Sequence, residues 1–255
     1  NAAETLWADA ELTLDDLHIG LRDHLKAAHD ISVRIMPIDV LPGTTWRLDR
    51  HSRRLFLSEV LNAPSRTFQL ALHAGLLGYR GLIDEMVSRT GLQGDEAKQL
   101  CRLGLANYFA GAVTMPYERF QTAADKLRYD IDLLCQRFSA SYEQTSHRLT
   151  TLQRPGSKGV PFFFLRVDHA GNISKRFSAS GFHFARFGGT CPRWNIHEAF
   201  RTPDKIIPQI VEMEDGTSYF TISRTVRGMG AGYKMPEQQL AIGIGCKLDY
   251  ARQLV

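Results

Sequence analysis

The feature that most restricts the fold is a single change of period in mid-chain. Up to Leu152 the apolar residues recur mainly at helical spacing. At Arg154-Pro155-Gly156-Ser157-Lys158-Gly159 that spacing stops, and from Pro161 onward apolar and polar residues tend to alternate. A chain that goes over from helical runs to strand runs predicts an α+β protein: a mainly helical domain over residues 1–154 and an antiparallel-sheet α+β domain over 155–255, a small sheet with helices on one side.

Within the first half, residues 4–30 carry Leu14, Leu17, Ile19, Leu21 and Leu25 at helical spacing, and Ile31 to Ile35 alternates as a strand. Thr45 to Leu48 and Arg54 to Leu57 flank Asp49-Arg50 as a hairpin. Asn62-Ala63-Pro64-Ser65 caps a long helix from about Arg66 to Arg80. Further helices are expected near Leu82 to Ser88, Gly94 to Gly111, from Pro116, and over Ser141 to Leu152. In the second half, Pro161 to Val167 and Ile173 to Phe187 read as strands around Asp168-His169-Ala170-Gly171-Asn172. A short helix lies near Trp194 to Phe200. Ile206 to Met213 and Ser218 to Val226 flank the turn Asp215-Gly216, Leu240 to Leu248 is a last strand, and Asp249 is placed to cap a terminal helix.

Charge narrows the function. The net charge is only +4, but residues 147–186 hold seven cations (Arg148, Arg154, Lys158, Arg166, Lys175, Arg176, Arg186) against one acid, Asp168. A local patch of this sign attracts an anion: nucleic acid, phosphate or a phosphorylated small molecule. No apolar run is long enough to span a bilayer, and the polar, acidic start has no secretion signal, so a cytoplasmic protein is expected. The chain opens Asn1-Ala2 without methionine and is read as part of a longer protein. Of the four cysteines, Cys101 and Cys135 fall on helices as small core residues. Cys191 and Cys246 stand beside glycine-rich turns, and none forms a C-x-x-C pair.

The order helix, strand, hairpin, helix, followed by Ala106-Asn107-Tyr108-Phe109-Ala110-Gly111-Ala112-Val113-Thr114-Met115-Pro116, resembles the ImmA/IrrE zinc metallopeptidases over roughly Leu21 to Phe120. The resemblance implies a zincin-like fold whose zinc needs two histidines at i and i+4 with a glutamate base between them, and a third ligand just before the Ala-Asn pair. Alignment on Phe68-Gln69-Leu70-Ala71 puts Leu72 and Leu76 at the two histidines, His73 at the base and Leu105 at the third ligand. Leucine cannot coordinate zinc. We therefore expect a metal-less scaffold, the leucines filling the old cavity as core, and no catalytic residue.

A second resemblance covers about residue 100 to the end. Ser141 to Pro155, Phe164 to Arg176, Gly181-Phe182-His183-Phe184, Gly188-Gly189-Thr190-Cys191-Pro192 and Ala241 to Cys246 look like the short-chain fatty acyl transcriptional regulators. What that resemblance implies is a sensor of short-chain acyl-CoA or CoA, acting in propionate, methylcitrate or glyoxylate metabolism. An XRE-type helix-turn-helix would contact DNA, a cysteine-rich end holds a 4Fe–4S cluster in some members, and the protein would be a homodimer. Cys191 and Cys246 would be the candidate cluster ligands in the full-length protein. The residues suit the ligand: its phosphates want Arg and Lys as charge-assisted donors, its adenine a stacking partner, its acyl chain a small apolar pocket. Arg148 is the foremost candidate contact, expected where the helical and sheet halves meet. Lys175 and Arg176 follow as phosphate partners, with His147, Arg166, His183, Phe164 and Phe182 completing the set.

Two other readings compete. One is an active or residual zinc peptidase with a different ligand set. The other is direct nucleic-acid binding by the basic strands, against which stands the want of a basic recognition helix or nucleic-acid motif in the sequence.

Overall fold

The computed structural model describes residues 1–184, 193–228 and 238–254. It forms two compact units. The first comprises Asn1–Tyr117 with Phe138–Ala140, the second Glu118–Arg137 with Ser141–Val255. The change of period at 154 therefore lies inside the second unit and is not its edge. The reason is visible in side chains that tie the helical stretch after Tyr117 to the residues beyond Arg154. Ser157 Oγ bonds Gln121 Oε1 at 2.6 Å, and the Tyr129 hydroxyl accepts from Val160 N at 3.2 Å. Around Pro155-Gly156 the chain only turns: Gln153–Arg154 (β4) pairs with Ser157–Lys158 (β5), with Gly156 at φ 81°.

In the first unit, helices α1 (Ala2–Asp9) and α2 (Leu17–His29) replace the single helical run expected over 4–30. Glu11 takes a left-handed φ of 47°, which ends α1. Leu12 then turns inward against Gly20, where a Cβ would sit 2.8 Å from Leu12 Cδ2. Strand β1 (Ser32–Met36) runs parallel to β3 (Arg54–Ser58), which pairs antiparallel with β2 (Trp46–Asp49), in the order β1-β3-β2. Helix α3 (Ala63–Gly78) starts as the sequence signals, Asn62 Oδ1 accepting from Ser65 N at 3.0 Å, with proline in the first turn. Then come α4 (Arg80–Ser88) and α5 (Asp95–Thr114). Gly75 of α3 lets the Phe109 ring of α5 close in; a Cβ there would meet Phe109 Cδ1 at 2.6 Å.

The second unit begins with α6 (Tyr117–Lys126, its first residue in the first unit), followed by α7 (Ile131–Phe138), a helix absent from the sequence expectation. Arg128 and Tyr129, both at positive φ, turn the chain, and Asp130 Oδ1 accepts from Leu133 N at 3.0 Å to start α7. Helix α8 (Tyr142–Thr150) carries a complete capping box between Ser141 and Gln144. The five-stranded sheet has the order β7-β6-β10-β9-β8, every pairing antiparallel: β6 (Phe163–Asp168), β7 (Ile173–Ser178), β8 (Ile207–Glu212), β9 (Ser218–Arg227) and β10 (Gln239–Lys247). The α+β class holds. The placement of helices on one side does not: α8 lies on one face of the sheet, and α9 (Asn195–Glu198) packs on the other. The final turn, Leu248–Gln253, is 3-10 and starts from Lys247, not from a cap at Asp249. Among the described residues no helix is long and apolar enough to cross a membrane.

Candidate functional site

Period-2 alternation divides β6 between two environments. Phe163, Leu165 and Val167 join Trp194, Ile196, Ala199, Tyr219 and Ala241 in a buried cluster on the α9 face. Gly243 and Gly245 keep that face close: a Cβ would meet Leu165 Cδ2 at 2.6 Å from Gly243, and the Phe220 carbonyl oxygen at 2.6 Å from Gly245. Phe164 and Arg166 point the other way, opposite Phe177 and Lys175 of β7 in the cross-strand register. Helix α8 covers them, with His147 edge-on to Phe164 and Phe177 at 5.6 and 6.2 Å.

The register brings two cations directly across from one another, an arrangement that costs energy unless an anion intervenes. Glu143, in the first turn of α8, supplies one: its Oε1 accepts from Arg166 Nη1 at 2.8 Å and from Lys175 Nζ at 3.4 Å. A bulge between Arg166 and Val167 leaves Ser174 without a cross-strand partner, and its Oγ accepts from Arg166 Nε at 2.9 Å, aiming the guanidinium. Lys175 Nζ lies 5.9 Å from the Phe164 ring centre. Burial, then the Lys175 charge, push the His147 imidazole down to about 4, against an opposing pull from Glu143. His147 is therefore neutral near pH 7, with one ring nitrogen donating and one accepting.

Of the residues singled out from sequence, His147, Phe164, Arg166 and Lys175 come together here. Phe164 has no exposed surface and props His147 from beneath. Arg148 is 3% exposed and belongs to the second unit; its Nη1 donates to Thr151 Oγ1 at 3.0 Å. Arg176 stands opposite Leu165, so the alternation sends it to the other face from Lys175. Phe182 also belongs to that other side, stacked on Phe163 at 4.1 Å and near Trp194 and Tyr219, while His183 is exposed. Arg186, Cys191 and the Gly188–Pro192 loop lie outside the described residues. Glu143 escaped the sequence reading. Its signal was there, a lone acid in the first turn of a capped helix that leads into a cation-rich segment.

Farther along the same sheet face is an apolar cleft of about 180 Å3, walled by Ile131, Leu149, Phe162, Phe220, Ile222 and Ile244, with Asp130 and Asp132 also lining it. Both carboxylates are engaged, Asp130 with Leu133 N and Asp132 with Arg224 Nη1 at 2.6 Å.

In the first unit, the three positions that the peptidase resemblance aligns with zinc ligands are leucines packed in or against the core. Leu72 is 2% exposed, and Leu76 and Leu105 pack against the same core. His73 is fully buried, its Nδ1 2.8 Å from the Gln69 carbonyl and its ring edge-on to Trp46 at 4.6 Å; burial lowers its pKa. Among the described residues no three His, Cys, Asp or Glu side chains are placed to hold a metal. Cys246 is fully buried on β10, and burial pushes its thiol up to about 12.

Comparison with known proteins divides the chain at 150/151, close to the change of period at 154 and apart from the edges of the two compact units. Residues 27–150 match the IrrE N-terminal-like domain, and residues 151–255 match the C-terminal domain of short-chain fatty acyl coenzyme A regulators. The HTH-type transcriptional regulator PrpR of Mycobacterium tuberculosis is 44% identical over the whole chain, which covers 52% of that protein. RamB of the same organism is 43% identical and the propionyl-CoA carboxylase regulator of Cereibacter sphaeroides 41% identical, the chain covering 53% of each. The chain thus spans about half the length of these relatives. A solved M. tuberculosis transcriptional regulator superposes with a TM-score of 0.94 at 42% identity, over all of this chain and 77% of that one. The chain belongs to the short-chain fatty acyl coenzyme A regulator family, with an IrrE-like domain preceding the family's C-terminal domain.

Proposed function

We propose that this chain is the ligand-sensing part of a transcription regulator, and that it binds a short-chain acyl-CoA through the second unit. The observation that carries the reading is the pairing of Arg166 with Lys175 on adjacent strands beside the neutral imidazole of His147. Two cations of fixed spacing, one a planar fork aimed by Ser174, suit the oxygens of a phosphate or pyrophosphate. The apolar cleft on the same sheet face has the lining a short acyl chain requires. One relative is named a propionyl-CoA carboxylase regulator, and propionyl-CoA is a ligand of this class.

The reading includes a non-enzymatic first unit, a DNA-binding domain in the full-length protein and a homodimer. Leu72, Leu76 and Leu105 argue against a zinc peptidase because carbon side chains occupy each ligand position. Ligand would act by favouring one of two conformations of the regulator.

The test is thermal unfolding with propionyl-CoA against free propionate. A ligand that binds only the folded state raises its stability by roughly 2.7 kcal/mol at a hundred times Kd. Propionyl-CoA should raise the melting temperature progressively and propionate should not. An unmoved melting temperature at millimolar propionyl-CoA rejects the reading.

A further inference from the structure

Arg166 and Lys175 face each other across β6 and β7, and the sheet sets their spacing. Like charges so placed repel. One carboxylate oxygen, Glu143 Oε1, answers both cations at 2.8 and 3.4 Å, leaving the trio with a net single positive charge. Glu143 is half-buried and held on a helix whose start is fixed by the Ser141–Gln144 capping box. Its contacts are those a bound carboxylic acid would make. Being tethered, it makes them without the entropy cost of capturing a free molecule.

We propose that Glu143 is a built-in counter-anion that sets the charge selectivity of this site. A free short-chain acid brings one carboxylate and gains nothing over the resident one. A phosphate or pyrophosphate brings more charge and more acceptor oxygens, and displaces it. The first turn of α8, where Glu143 sits, favours a carboxylate even when the cations are taken from it. The site therefore admits the phosphorylated thioester and refuses the acid from which the thioester is made. This rests on the phosphate-binding reading above and names the residue that decides which anions enter.

The experiment titrates inorganic pyrophosphate and sodium propionate into the chain and into Glu143→Gln at fixed ionic strength. The unaltered chain should bind pyrophosphate and give no saturable response to propionate. Glu143→Gln should bind pyrophosphate at least about tenfold tighter and gain saturable propionate binding, and adding Arg166→Gln should abolish both gains. Unchanged or weaker pyrophosphate binding by Glu143→Gln overturns the proposal, as does equal propionate binding by both proteins. Should Glu143→Gln not fold, Glu143→Asp, which withdraws the carboxylate by one methylene, is expected to shift both affinities the same way by less. The two readings separate on propionyl-CoA. Gain of anion binding by Glu143→Gln with no propionyl-CoA binding leaves the charge selection standing and removes the acyl-CoA assignment. Propionyl-CoA binding with no effect of Glu143→Gln removes the charge selection alone.

Discussion

At the scale of single residues, the second unit depends on what each charge is given for company. His147 pays for its place between Phe164 and Phe177 by staying neutral. Its folded pKa, about 4, lies below the unfolded value of 6.5, so the unfolded chain takes up the proton first as the solution is acidified. The stability His147 contributes is therefore complete above pH 6.5 and is lost as the pH falls from there towards about 4. The shift is equivalent to about 3 kcal/mol. Denaturant unfolding across that window should show steep acid destabilisation, reduced by roughly that amount in His147→Phe. His73 in the first unit shifts in the same direction by burial, so some dependence should survive the substitution. If His147→Phe keeps the full dependence of the unaltered chain, the burial argument for His147 is wrong.

At the scale of elements, the sheet is fixed as much by small residues as by large ones. On β10, Gly243 and Gly245 alternate with Ile242, Ile244 and Cys246, and the glycines are the side that lets α9 and Phe163 approach. Gly245→Ala would push a methyl to 2.6 Å from the Phe220 carbonyl oxygen and 2.7 Å from Phe163 Cζ. Overpacking of this kind costs about 1–3 kcal/mol, and thermal unfolding should register it; a neutral Gly245→Ala would mean the strand can shift to make room. The elements most legible in the sequence were those with local punctuation: Asn62 before α3, Asp215-Gly216 between β8 and β9, Asp168 to Asn172 between β6 and β7. The break at Glu11 and the helix after Tyr129 were not legible. Both depend on non-glycine residues held at positive φ, which no propensity announces. The candidate site was half legible for a related reason. Alternation separates Lys175 from Arg176 once the register with Arg166 is known, but the register, and the bulge at Ser174, come from pairing. Glu143 could not be matched to those cations without it.

At the scale of the whole molecule, the chain forms two compact units, and the proposed reading gives each a different role. The first matches the IrrE N-terminal-like domain, and Leu72, Leu76 and Leu105, which the resemblance aligns with zinc ligands, are packed in or against its core. Metal analysis of purified chain should find no stoichiometric zinc, and a chelator should leave its melting temperature unmoved; stoichiometric zinc would revive the hydrolase reading. The second unit sets a neutral histidine, two cations and their resident carboxylate on one sheet face, with the apolar cleft farther along it. This face is proposed to receive the phosphates of an acyl-CoA. Calorimetric titration of propionyl-CoA into the chain and into the double variant Arg166→Gln, Lys175→Gln tests it most directly. Each charge-assisted bond is worth about 1.5–3 kcal/mol. Saturable binding by the chain, with affinity at least about tenfold weaker in the variant, is expected. Equal affinity in a folded double variant, or no heat from the unaltered chain, would contradict it.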